Sequence, residues 1–194
     1  NVTKTEIDTL QQNLGVKHKW IYFSWGRPGE SKGFEYLLNA VPEISKQIPN
    51  SLLLLMLSSS EQYRQKYQEL QSSIQRLNIH DQVKIIPSAP NELLRTYIKV
   101  ANCVVIPSIA EGFGYNAVEA SAMGTPVLIS NAGSLPEVIS GKYQIFQNKD
   151  SIDLSTQIQN LAQGKYQQKK RHKFQWRTTV QEYLQTYKQL ISYQ

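Results

Sequence analysis

Six times along this chain a short apolar run gives way to a longer, amphipathic or turn-rich stretch, and that rhythm leaves few folds open. The runs are Trp20–Trp25, Ser51–Leu57, Val83–Ile86, Cys103–Ile106, Pro126–Ile129 and Tyr143–Phe146, all of strand length. Between the first two, Phe34–Gln47 places Phe34, Leu37, Leu38, Val41 and Ile44 three and four apart, one face of a helix. Glu61–Leu77 is rich in Gln yet keeps a stripe at Tyr63, Tyr67, Leu70, Ile74 and Leu77. Further helices are expected over Glu92–Val100, Tyr115–Met123 and Ile152–Leu161, with a helical turn at Ser134–Ile139. Ser51–Leu57 shows no polar alternation, which is the pattern of a strand buried on both faces. Parallel neighbours need a crossover each, and right-handed crossovers lay helices on both sides of a sheet. The expected fold is an α/β, doubly wound, parallel six-stranded sheet.

A length of 194 residues suits one domain with a substantial core. Its longest apolar run, Leu52–Leu57, falls far short of the roughly 20 residues that span a bilayer. A lone cysteine, Cys103, forms no internal disulfide and suits a cytoplasmic setting. His18, His80 and His172 are dispersed and none pairs with a cysteine, so no metal site is expected. The net charge of +6 sits entirely in residues 165–194, where seven basic residues face Glu182 alone. Residues 1–164 balance, so the basic field of a nucleic-acid binder is absent.

Three segments follow from this. Residues 1–17 lack a strand and read as a lead-in; 18–164 form the α/β body; 165–194 are a basic segment with a closing helix over Phe174–Ile191. Phe174, Val180, Leu184, Tyr187 and Ile191 fall near helical spacing and form a stripe able to dock on protein. Lys169, Lys170, Arg171 and Lys173 precede that stripe and no core requires them. They suit either a solvated face or peripheral contact with the anionic inner face of a membrane.

Ligands of open parallel sheets bind at the carboxyl ends of the strands, so the loops there matter most. The first, Trp25-Gly26-Arg27-Pro28-Gly29-Glu30-Ser31-Lys32-Gly33, fits neither a dinucleotide fingerprint nor a P-loop. It sets two cations, Arg27 and Lys32, at a helix N-terminus, either as a phosphate clamp or as incidental charges on an exposed loop. The second, Glu111-Gly112-Phe113-Gly114-Tyr115-Asn116-Ala117-Val118-Glu119, brings bare amides close to a ligand through its glycines. Its two carboxylates, Glu111 on the loop and Glu119 a turn into the helix, are natural acceptors for vicinal sugar or ribose hydroxyls. A capped helix with a surface glutamate is the plainer alternative. The third, Asn131-Ala132-Gly133-Ser134-Leu135-Pro136-Glu137, is either another wall of one cleft or ordinary turn chemistry.

These loops carry a family resemblance over roughly residues 20 to 190. Gly26-Arg27, Lys32-Gly33, Val105-Ile106-Pro107-Ser108, Glu111-Gly112-Phe113-Gly114, Glu119-Ala120, Gly124, Pro126-Val127 and Gly133 with Pro136-Glu137-Val138-Ile139 resemble the carboxyl-terminal half of group 1 glycosyltransferases. That is glycosyltransferase family 4, whose GT-B architecture joins two Rossmann-like domains. Phe174-Gln175-Trp176 and the helix after it look like the family's closing segment, which crosses back to the other domain.

The resemblance implies a retaining hexosyltransferase whose donor half binds a nucleoside-diphosphate sugar without cofactor or metal. Arg27 and Lys32 would neutralise the diphosphate, and Glu111 would take hydroxyls of the donor sugar, these three being the catalytic set. Gly26, Gly112, Phe113, Gly114, Tyr115 and Asn116 would shape the donor site, and Glu119 would hold the ribose. The acceptor, a glycan or lipid-linked glycan, would sit mainly on an amino-terminal domain, so this half alone would bind without turnover. The family context is cell-surface polysaccharide or lipopolysaccharide synthesis. Ser58-Ser59-Ser60 and Pro87-Ser88-Ala89-Pro90 depart from the glycines usual near the base pocket. A non-catalytic sugar-nucleotide-binding module on the same fold is the second reading, and a phosphorylase or epimerase of similar architecture the third.

Overall fold

The computed structural model describes residues 2–192. Seven strands form one sheet: β1 (Trp20–Gly26), β2 (Ser51–Leu57), β3 (Val83–Pro87), β4 (Cys103–Ile106), β5 (Val127–Ser130), β6 (Gly141–Phe146) and β7 (Gln167–Lys169). Their order is β3-β2-β1-β4-β5-β6-β7. All neighbours are parallel except β6 and β7. The doubly wound parallel sheet is therefore present, with one strand beyond the six expected. Strand β7 is Gln-Gln-Lys and fully exposed, so no apolar pattern announces it. Its pairing alone makes it a strand: Gly141, Lys142 and Tyr143 face Lys169, Gln168 and Gln167, which also starts β6 two residues before Tyr143.

Among the described residues seven α-helices flank the sheet, α1 (Lys4–Leu14), α2 (Phe34–Gln47), α3 (Arg64–Arg76), α4 (Asn91–Val100), α5 (Tyr115–Met123), α6 (Leu135–Val138) and α7 (Ser151–Ala162), and an eighth, α8 (Trp176–Ser192), follows β7. The alternation of side chains along the strands divides the core in two. Ile21, Phe23, Leu54, Met56, Val104 and Ile129 pack with Tyr97, Ile98 and Ala117 of α4 and α5. On the other face Tyr22, Leu53, Leu55, Cys103, Val105 and Leu128 pack with Leu37, Leu38 and Ile44 of α2, Leu70 of α3 and Ile158 of α7. Burial there pushes the Cys103 thiol well above its ordinary range, which keeps it protonated and inert.

Residues 1–17, expected only as a lead-in, contain a helix packed on the body. Thr3 and Glu6 form a reciprocal capping box at the start of α1. Leu10 and Val16 are buried in the same cluster as Ile21 and Phe23. The opposite holds for α8, which has no buried residue. Val180, Leu184, Tyr187 and Ile191 are all half or more exposed, so their stripe is not docked on this domain. Phe174, expected inside that helix, lies two residues before it and meets the Phe113 ring edge-on at 5.2 Å. Among the described residues no helix is long and apolar enough to cross a membrane.

Candidate functional site

The sheet order reverses direction between β1 and β4, and the crevice above their carboxyl ends is where an open α/β sheet takes a ligand. A cleft of about 460 Å³ opens there. The end of β1 supplies Gly26 and the turn after it Arg27 and Lys32; the turn after β4 supplies Glu111 and the start of α5 Tyr115 and Asn116. Ser58, Ser88 and Ala89 close the side towards β2 and β3. Trp25, Met56 and Leu94 also line it, residues to which the sequence assigns no site role. The signal for the first two was their place at strand ends, where side chains reach both core and cleft.

Glu111 is held from several directions. Its Oε2 accepts from Lys32 Nζ at 2.8 Å and from Ser108 Oγ at 3.2 Å. Its carbonyl accepts from both the amide and the hydroxyl of Ser134, each at 3.3 Å. Gly133 lies so close that a Cβ there would overlap the same carbonyl oxygen, which explains a glycine at φ +53. Lys32 is only 20% exposed at its side chain, because the turn from Glu30 to Gly33 folds back on β4. Gly33, at φ +63, presses on the Pro107 carbonyl, and Ile109 N donates to Ser31 O at 2.7 Å. Arg27, by contrast, is exposed. The two cations thus share the cleft but differ in what holds them.

Helix α5 begins at the cleft, and its N-cap, Gly114, offers no side-chain cap. The first turn of α5 is therefore a place for an anion. Asn116 Nδ2 donates to Trp25 O at 2.9 Å and ties that turn to β1. A partly buried anionic acceptor, two cations and a helix N-terminus around one cleft suit a ligand that carries both hydroxyls and phosphate.

The sequence profile described as "Glycosyl transferases group 1" matches residues 6–179. The chain belongs to the group 1 glycosyltransferase family. It is 32% identical, over 78% of its length, to an uncharacterized glycosyltransferase of Methanocaldococcus jannaschii. It is 30% identical, over 96% of its length, to the D-inositol 3-phosphate glycosyltransferase of Corynebacterium jeikeium. It spans 39% and 47% of those proteins respectively. Anabaena HepE, solved in complex with UDP and glucose, shares the fold at a TM-score of 0.73 and 23% identity, over 82% of this chain and 42% of HepE. The sheet and its helices are thus a GT-B Rossmann-like domain.

Four of the expected glycosyltransferase site residues do not line the 460 Å³ cleft. Gly112 stands in the open, and Gly114 packs so closely on Leu135 that a Cβ would meet its Cδ2 at 2.6 Å. The Phe113 ring lies tilted against that of Tyr115, centroids 4.8 Å apart, and extends the aromatic contact to Phe174. Glu119 lies a turn further along α5, in a hollow of about 310 Å³ between α4 and α5 with Asn91, Arg95 and Met123. Leu94 lines both spaces. Partial desolvation raises the Glu119 carboxyl above its ordinary value, and the charge of Arg95 opposes that rise.

Proposed function

We propose that this domain binds the nucleoside-diphosphate sugar of a retaining hexosyltransferase. What supports the reading above all is that Lys32 and Arg27 share one cleft with Glu111. In the proposed reaction the bond between the anomeric carbon and the β-phosphate oxygen breaks, and its electron pair leaves with the phosphate. Arg27 and Lys32 stabilise that developing charge by charge-assisted hydrogen bonds, with no metal or cofactor required. The acceptor hydroxyl attacks from the same face and passes its proton to the departing phosphate oxygen. Glu111 fixes the sugar by its hydroxyls, and Glu119 the ribose from beyond Leu94. HepE, solved also in complex with UDP-glucose, offers a precedent for such a ligand on this fold.

The acceptor, a glycan or lipid-linked glycan, would lie mainly on a second domain, whose surface would cover the exposed stripe of α8. In isolation this domain would bind donor without turnover. The pathway context proposed is cell-surface polysaccharide or lipopolysaccharide synthesis in the cytoplasm. Titration with nucleoside diphosphates and their glucose conjugates tests the reading. Glu111→Ala is expected to weaken the conjugate roughly tenfold while sparing the bare diphosphate. Glu119→Ala is expected to weaken both alike. Equal losses on the bare diphosphate in the two variants would remove Glu111 from the sugar.

Peripheral contact with an anionic membrane belongs to the same proposal, in a reduced form. Two of the four basic residues in the run are engaged by the protein itself. Lys169 Nζ stands 5.3 Å from the centre of the Tyr143 ring. Arg171 lies over Gly124, where a Cβ would meet its Nη2 at 2.5 Å, and His172 N donates to Ser140 Oγ. Lys170 and Lys173 remain, worth about 1 kcal/mol each beside an anionic leaflet. Co-sedimentation of the whole enzyme with anionic vesicles should fall in a Lys170→Gln, Lys173→Gln double variant. Undiminished sedimentation would assign the run to a solvated face.

A further inference from the structure

Ser108 is 1% exposed, in the turn that follows β4, and the donor-binding reading gives it no part. Its surroundings are unusually determined. The Ser108 carbonyl accepts from Ser130 Oγ at 2.5 Å, and Ser130 is itself fully buried at the end of β5. That bond fixes the backbone of Ser108 to the sheet. From there its hydroxyl donates to Glu111 Oε2 at 3.2 Å, the same oxygen that Lys32 Nζ reaches at 2.8 Å. Both donors converge on one carboxylate oxygen. The other, Oε1, accepts from no described residue, and Glu111 faces the cleft. An ionised carboxylate accepts on both oxygens, so Oε1 is the one presented to a ligand.

Lys32 cannot serve Glu111 and a diphosphate equally well. Its ammonium is a flexible point charge with three donors, and two phosphates carry more charge than one carboxylate. When it turns to phosphate, its grip on Oε2 slackens, and Ser108, fixed through Ser130, is the donor that stays. A rotation of the carboxylate about its last torsion would otherwise be easy, since that torsion is broad. We propose that Ser108 is a positioning residue: it holds Glu111 Oε2 so that Oε1 stays aimed at the donor sugar while Lys32 engages the diphosphate. The inference rests on the donor-binding reading above and deepens it.

Its signature is a loss confined to the sugar. The 194-residue chain, as wild type and as Ser108→Ala, Ser108→Cys and Glu111→Gln, would be titrated with UDP, GDP and ADP and with their glucose conjugates. Ser108→Ala is expected to weaken the conjugate about tenfold, the scale of one hydrogen bond to a charged group, and to leave the bare diphosphate within twofold. Ser108→Cys, a near-isosteric weak donor, should fall between. It carries the same comparison if Ser108→Ala does not fold. Equal losses on both ligands would make Ser108 merely structural, and no loss on either would make its hydroxyl dispensable; each overturns the inference. Glu111→Gln separates the two levels. If it too leaves the conjugate untouched, Glu111 does not hold the sugar and Ser108 has nothing to position; if the wild type binds no member of the panel, the donor-binding reading itself fails. A selective loss in Glu111→Gln without one in Ser108→Ala removes only the role of Ser108.

Discussion

Lys32→Ala is expected to weaken nucleoside-diphosphate binding by roughly 1–3 kcal/mol, or about 5- to 150-fold, as the loss of a charge-assisted contact to phosphate. Arg27→Ala should do the same to binding, yet the two variants should part company in stability. Lys32 is a partly buried partner of Glu111, with side chains 20% and 19% exposed. Removing it leaves the carboxylate with Ser108 as its remaining side-chain donor, at a cost of about 1 kcal/mol after solvent screening. Arg27 is exposed, and its loss should leave the melting temperature unchanged. Sequence alone suggested an exposed loop for both cations. The turn that folds Gly33 onto Pro107 is what buries one of them. Calorimetry and thermal melts of the two variants check this together. Equal melting temperatures would mean that the Lys32–Glu111 pair contributes nothing to the fold, and unchanged affinities would take both cations off the diphosphate.

Gly33→Ala should destabilise the domain by about 3 kcal/mol, the largest effect of any single-methyl change in these loops. Two costs add. At φ +63 an alanine is strained by roughly 1–2 kcal/mol. Its Cβ would also overlap the Pro107 carbonyl oxygen, so that the exit of β4 and the start of α2 must move apart. A loss of about 3 kcal/mol corresponds to roughly 6–12 °C in melting temperature for a domain of this size. Two other glycines resolve the costs. Gly15, at φ +69, has open space around it, so Gly15→Ala carries the strain alone. Gly29, at φ −137, meets only the Arg27 carbonyl oxygen, at an ordinary 3.9 Å, so Gly29→Ala should be nearly neutral. The melting temperatures should rank Gly29→Ala above Gly15→Ala above Gly33→Ala. A Gly33→Ala protein as stable as Gly29→Ala would contradict the packing of this turn on β4.

The site was legible to the extent that its residues sit in short motifs at strand ends. Gly26 ends β1, Arg27 and Lys32 follow it, and Glu111, Tyr115 and Asn116 follow β4, all in one cleft. Leu94 was not legible, because one leucine in a short expected helix says nothing of a cleft and only the packing of α4 turns it there. Ser108 was visible as a motif residue but not as a ligand of Glu111, since a hydroxyl has no preferred partner until the turn after β4 is built.

What the sequence by itself determined is the layered sheet: apolar runs of strand length alternating with helical stripes admit little else, and α2 begins and ends at the residues its pattern marks. Tertiary structure decided the rest. Strand β7 is polar throughout and exists because β6 offers it an edge, while α8 is patterned like a docking helix yet buries nothing here. It also placed Glu119 one turn beyond the 460 Å³ cleft and turned Arg171 onto Gly124. Periodicity records which face of an element is apolar. Which partner covers that face, and which polar group meets which, depends on contacts between residues distant in the chain, and those arise only when the elements pack.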